Sequence, residues 1–166
     1  VRPVSLIDVS GLAIGIRVPD GRIFPVVDAV DISVGAGESL GIAGESGSGK
    51  STLLLAMMGL VKSGLHHLKG QARFDGLPML GRSDEDLNGI RGGRLALIPQ
   101  NAGTALTPSM RIGRQIDESL RLHGNLTAEA RNRRIVDLLA RVQLPDPAEL
   151  ARRYPHQLSG GQLQRV

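Results

Sequence analysis

Gly44-Glu45-Ser46-Gly47-Ser48-Gly49-Lys50-Ser51, followed at once by Thr52, is the stretch on which the reading of this chain turns. It satisfies the pattern G-x-x-x-x-G-K-[ST] at every fixed position. Glycines let the backbone turn tightly with φ > 0, so that successive N–H groups point into one concavity able to hold an anion. The Lys50 ammonium is a mobile point charge that can follow the β- and γ-phosphates of a nucleotide. The Ser51 hydroxyl can complete the shell of a Mg²⁺ ion, which favours oxygen ligands. A Gly/Ser-rich flexible turn is the plainer alternative, and the flanking residues argue against it. Ser39-Leu40-Gly41-Ile42-Ala43 reads as a short buried strand leading in, and Ser51 to Gly59 as a helix leading out with its dipole aimed at the loop.

Upstream, Ser5 to Val9 and Leu12 to Ile16 read as strands, Pro19-Asp20-Gly21 as a turn, and Val30 to Val34 as an alternating strand. Gly35 to Glu38 then turns into the strand before the loop. Downstream, Gln71 to Phe74 is a strand closed by Asp75-Gly76, Ser83 is an N-cap with Asp86 at the capping-box position, and Arg94 to Ile98 is a further buried strand ended by Pro99. Helical spacing takes over beyond that point. Ile112, Ile116 and Leu120 share one face. Ala128 to about Val142 follows Thr127 as N-cap, with Ile135, Leu138, Leu139 and Val142 as its apolar stripe. A short helix, Ala148 to Arg153, is stopped by Pro155. The pattern is α/β, with an antiparallel β subdomain beside a parallel core and a helical subdomain set on it.

Composition narrows the chemistry. With aromatics at 2%, Leu, Ile, Val, Ala and Met must fill the core. The absence of cysteine excludes disulfides, thiolate metal sites and Cys nucleophiles. The longest apolar run, Leu53 to Val61, is too short to span a bilayer, and the N-terminus lacks the layout of a signal peptide. A formal net charge of +4 is mild, and its arginines are scattered without aromatic companions, so no nucleic-acid partner is expected.

A second constellation is Leu158-Ser159-Gly160-Gly161-Gln162, where Ser159 reads as an N-cap and two glycines expose backbone N–H groups at a helix start. With both motifs in hand, the chain resembles the nucleotide-binding domain of an ATP-binding cassette (ABC) transporter. That family combines a Walker A loop with an LSGGQ signature at about this separation. The fold implied is a P-loop NTPase core and antiparallel β subdomain over residues 1–100, an inserted helical subdomain over 101–158, and 159–166 as the start of the signature helix.

The resemblance assigns ATP contacts to Gly44, Glu45, Ser46, Gly47, Ser48, Gly49, Lys50, Ser51 and Thr52, and, across a dimer, to Ser159, Gly160, Gly161 and Gln162. Lys50, Gln100 and Ser159 take the catalytic roles it implies, and Ser51 and Gln100 attend Mg²⁺. Residues 44–52, Pro99 to Pro108 and Tyr154 to Gln162 are similar to the dipeptide/oligopeptide/nickel importer branch. That branch usually has an aromatic where Pro99 stands and Leu-Asn-Pro where Leu106-Thr107-Pro108 stands. Its adenine-stacking position holds Ile16 here, with Phe24 the nearby aromatic.

The implied role is the ATP-binding subunit of an importer of a peptide, nickel or similar solute, peripheral on the cytoplasmic face of the cell membrane. Its implied partners are permease subunits, a second ATPase subunit (a copy or a paralogue) and, indirectly, a solute-binding protein. A catalytically silent nucleotide-binding fragment and an ABC-type ATPase acting on DNA are the alternatives. Zero cysteines and the compact span from Gln100 to Ser159 weigh against the second. The family's hydrophobic strand ending in Asp-Glu and its later switch histidine are not found in these 166 residues, and His66, His67, His123 and His156 do not occupy the switch position. The resemblance therefore implies a domain incomplete at its C-terminus that binds nucleotide without useful turnover.

Overall fold

The computed structural model describes residues 5–166 and divides into two compact units, Val1–Arg91 and Gly92–Val166.

In the first unit, four antiparallel strands are ordered β2-β1-β3-β4. The two short strands expected at its start are one strand, β1 (Ile7–Arg17). What reads as a break is a bulge: Gly11 has φ 56, and pairing with β3 (Leu65–Phe74) slips from Ser10↔Gln71 to Ala13↔Lys69. Gly70, at φ 76, faces that bulge, and any Cβ there would strike the Gly11 carbonyl. β2 (Ile23–Val34) begins seven residues before the expected Val30, running through Pro25, a residue tolerated on an outer strand. Asp75 and Gly76, with φ 50 and 75, make the tight turn from β3 to β4 (Leu77–Pro78) that the Asp-Gly pair signals.

One face of this sheet carries α1 (Lys50–Met57). Val9, Leu12 and Ile14 of β1, Val27 of β2 and Ala72 of β3 close over Leu53 and Ala56 of the helix. Each large aliphatic buried there contributes on the order of 1.5–3 kcal/mol. The helix ends in a Schellman motif, with Leu60 N–H donating to Leu55 O at 2.8 Å, Gly59 N–H to Ala56 O at 2.9 Å, and Gly59 at φ 74. Arg91 ties that end down, donating to Met58 O and Gly59 O and pairing with Asp84 at 2.8 Å. Asp84 opens α2 (Asp84–Asn88), which starts with the Ser83/Asp86 capping box read from the sequence.

The second unit holds α3 (Ala102–Ala105), α4 (Ile112–His123), α5 (Ala128–Arg141), α6 (Pro147–Leu150), a 3₁₀ turn over Pro155–Gln157 and α7 (Gly160–Arg165). Ile112, Ile135, Leu139, Leu144, Leu150 and Leu158 form its core, with Ile116 and Leu120 packed against them. Thr127 caps α5 as expected, but Val142 of the expected stripe remains 38% exposed.

Two expectations fail. Ser39–Ala43 and Arg94–Ile98 are not extended ladders and are not buried; Leu40 is 51% and Ile98 92% exposed. The cause is pairing. Apolar content favours a buried strand, but without a neighbour to accept its N–H and C=O groups an isolated extended segment has nothing to hold it. The sheet formed by the described residues is the antiparallel one alone.

Candidate functional site

Residues Gly44 to Gly49 wrap the start of α1. Gly47 and Gly49 have φ of 84 and 87, in the region that favours glycine, and a Cβ on Gly49 would come to 2.5 Å from Val26 O. Glycine at 49 therefore lets the loop lie directly on β2. Lys50, in the first helical turn, sends its Nζ back to Gly44 O at 2.8 Å, Glu45 O at 2.5 Å and Ser48 Oγ at 3.2 Å. The Glu45 carbonyl also accepts from Ser48 N–H, so it is the backbone of Glu45 that shapes the loop. Ser46 and Ser51 are exposed and Thr52 is half-buried.

The helix start is the chemically telling part. α2, α5 and α7 satisfy an early N–H with the side chains of Ser83, Thr127 and Ser159. α4 lacks such a cap, but its Ile112 and Gly113 N–H groups donate to Arg153 O and Ala151 O. α1 has no side-chain cap and no acidic residue in its first turn. Its unpaired donors and positive dipole end meet a cavity of about 300 Å³ lined by Val26, Val27, Asp28, Ile42, Ala43 and Lys50. Such a helix end can donate to an anion. The β2 wall of this cavity escaped the sequence reading because Pro25 and Asp28 interrupt the strand signal there.

In the second unit, Ser159 and Gln162 form a reciprocal capping box: Ser159 Oγ accepts from Gln162 N–H at 3.3 Å, and Gln162 Oε1 accepts from Ser159 N–H at 2.9 Å. This leaves the Ser159 hydroxyl hydrogen and the N–H groups of Gly160 and Gly161 for another acceptor, and a Cβ on either glycine would meet nothing within 4 Å. Gln100 is exposed just after Pro99 and shares a cavity of about 560 Å³ with Asn101, Gly103, Gly160, Leu163 and Gln164. The fold thus brings Gln100 and the start of α7 to one cavity, while Lys50 and Ser51 lie in the other unit. Among the described residues no group of three His, Asp or Glu side chains could hold a metal ion by itself.

The sequence pattern of the ABC transporter family matches residues 27–166. The chain belongs to the ABC transporter family. Its α/β architecture is that of the family's P-loop NTPase cassettes: it superposes on the dimeric structure of a bacterial ABC transporter cassette with a TM-score of 0.82 at 27% identity, over 96% of this chain and 66% of that one. The same cassette in a post-hydrolysis state, bound to ADP and Pi, gives a TM-score of 0.82 at 26% identity. A putative peptide import ATP-binding protein of Brucella abortus (strain 2308) is 39% identical over 166 residues, all of this chain and 50% of the relative. An oligopeptide transport ATP-binding protein, OppD, of Escherichia coli (strain K12) is 38% identical over 162 residues, 98% of this chain and 48% of the relative. The chain spans about half the length of these curated ABC relatives.

Proposed function

We propose that the chain is the nucleotide-binding part of an ABC importer's ATPase subunit, which couples ATP binding and hydrolysis to uptake of a peptide or similar small solute. The observation that carries this reading is the uncapped α1 start beneath a glycine-shaped loop with Lys50 beside it. The peptide-import and oligopeptide-transport names of the relatives support the direction of transport and the class of solute. The subunit would sit on the cytoplasmic face of the membrane against permease subunits; no helix among the described residues is long and apolar enough to cross it.

In this reading Gly44–Thr52 hold the triphosphate. Ser51 Oγ would supply an oxygen to a bound Mg²⁺, whose charge would help neutralise the transferring phosphoryl group. Lys50 redirects Nζ from the loop carbonyls to the β/γ-phosphates. Ser159, Gly160, Gly161 and Gln162 act on a nucleotide held by the phosphate loop of a second ATPase subunit, adding N–H and O–H donors where charge spreads in the transition state. Gln100 orients water through its amide, which cannot accept a proton at neutral pH. Hydrolysis also needs a general-base carboxylate to take the water's proton, a role whose loss typically removes about 10²–10⁴ in rate. The subdomain layout follows: residues 1–100, 101–158 and the opening of the signature helix at 159–166.

Lys50→Ala tests the site. By titration calorimetry it should weaken ATP binding by about 1.5–3 kcal/mol, roughly 10- to 150-fold, while leaving the circular dichroism spectrum unchanged. Equal affinity in variant and parent would sink the assignment. In the full-length protein, mixing Lys50→Ala subunits with Ser159→Arg subunits should recover one composite site and part of the hydrolysis. A mixture no more active than its components would count against sharing in trans.

A further inference from the structure

A cavity of about 610 Å³ opens in the second unit among α4, α5 and α6, a size typical of small-molecule sites. Its walls carry Arg111, Arg114, Arg121 and Arg152 with only Asp117 and Glu118 for balance. Asp117 is already committed, accepting from Arg131 Nε at 2.5 Å and pairing with Arg121 at 2.8 Å. Arg111 lies over the ring of Tyr154 at 5.7 Å. Among the described residues, the guanidiniums of Arg114 and Arg152 make no side-chain hydrogen bond or ion pair. The two uncommitted guanidiniums, with that of Arg111 over Tyr154, therefore share with one carboxylate, Glu118, a concavity that concentrates their field.

The backbone explains how they come together. Gly113 N–H donates to Ala151 O at 2.8 Å, and a Cβ at Gly113 would stand 2.9 Å from that oxygen. Glycine there lets α4 close onto the end of α6, which brings Arg111 and Arg114 to the same cavity as Arg152. Because Ile112 and Gly113 spend their N–H groups on Arg153 O and Ala151 O, an anion in this cavity is held by side chains rather than by the helix start. Ile135, Val136, Ala148 and Ala151 supply an apolar floor beside the charges.

We propose that this cavity is a second anion site, separate from the phosphate loop, for a small phosphorylated molecule. The phosphate engages Arg111, Arg114 and Arg152 through the planar forks that suit its oxygens, and the organic body packs on the apolar floor. A compact dianion suits guanidiniums gathered around one cavity, whereas peptide carboxylates spaced along a chain need an extended groove. The proposal does not depend on the nucleotide reading of the loop and is tested in its absence.

In Lys50→Ala protein, pyrophosphate and ADP are titrated while following the emission of Tyr154, the single tyrosine in a chain without tryptophan. Both should bind saturably, ADP more tightly because it also uses the floor. The Arg114→Ala/Arg152→Ala double variant should bind at least tenfold more weakly, and Glu118→Gln should bind more tightly. These three side chains are exposed, and unchanged thermal melting checks that the variants fold. No saturable binding, equal affinity for the two probes, affinity unchanged in the double variant, or binding of triglutamate but not pyrophosphate would each overturn the proposal.

Discussion

Asp117 shows how a single carboxylate can hold two helices. It lies on α4, reaches Arg131 of α5 at 2.5 Å and Arg121 one turn along its own helix at 2.8 Å. Hydrogen bonding from Arg131, reinforced by the charges of both arginines, draws its pKa below the ordinary carboxylate value. A lowered folded-state pKa means that the contribution is fully present above the unfolded value, near 3.9, and is lost as pH falls through the lower folded one. Thermal melts of the parent should therefore fall more steeply with acidification below about pH 4 than those of Asp117→Asn, which should melt lower at pH 7. Parallel curves for the two proteins would remove Asp117 from that account. This pair was hidden in the sequence, where Asp117 and Arg131 are separated by fourteen positions and nothing marks them as partners. The loop residues 44–52 were legible because most of their geometry is local: Lys50 reaches back only to Gly44, Glu45 and Ser48, although Gly49 also lies against Val26 of β2.

Among the elements, capped helices were the most readable. Ser83, Thr127 and Ser159 all cap as their sequence context indicates, since a cap involves only residues three apart. Strands were less readable because their limits depend on a partner. β1 reads as two strands around Gly11, which proves to be a bulge, and β2 begins seven residues before the expected Val30, running through a proline that its outer position tolerates. The bulge gives a direct test. Gly70→Ala places a side chain at φ 76 against the Gly11 carbonyl, and the left-handed conformation alone costs on the order of 1–2 kcal/mol before the clash is counted. The urea midpoint should drop accordingly with little change in slope. Gly76→Ala, at φ 75 but with open space around its Cβ, should cost less; a larger loss there would contradict the close approach at Gly70.

Across the whole molecule, the two apolar segments outside the sheet set its character. Leu40, Leu97 and Ile98 are 51%, 43% and 92% exposed, although their sequence reads as core. Their apolar pattern was visible in the sequence; whether a neighbouring strand exists to receive it is a property of the assembled fold. Hydrogen exchange of the 166-residue chain should find amides of 39–43 and 94–98 exchanging rapidly, while those of β1 and its partners in β2 and β3 stay protected. Slow exchange in the two segments would show that they are paired. The same molecule also carries its own occupant for the phosphate loop. An ammonium group has three hydrogens, and all three of Lys50's find oxygen on Gly44, Glu45 and Ser48. An arriving anion must win the lysine away from contacts it already has, so what counts is how many donors the newcomer engages together. A polyphosphate that spans the loop and the α1 start replaces several of those contacts in one event. The resting lysine thereby ties occupancy of the loop to the number of donors an anion can engage at once.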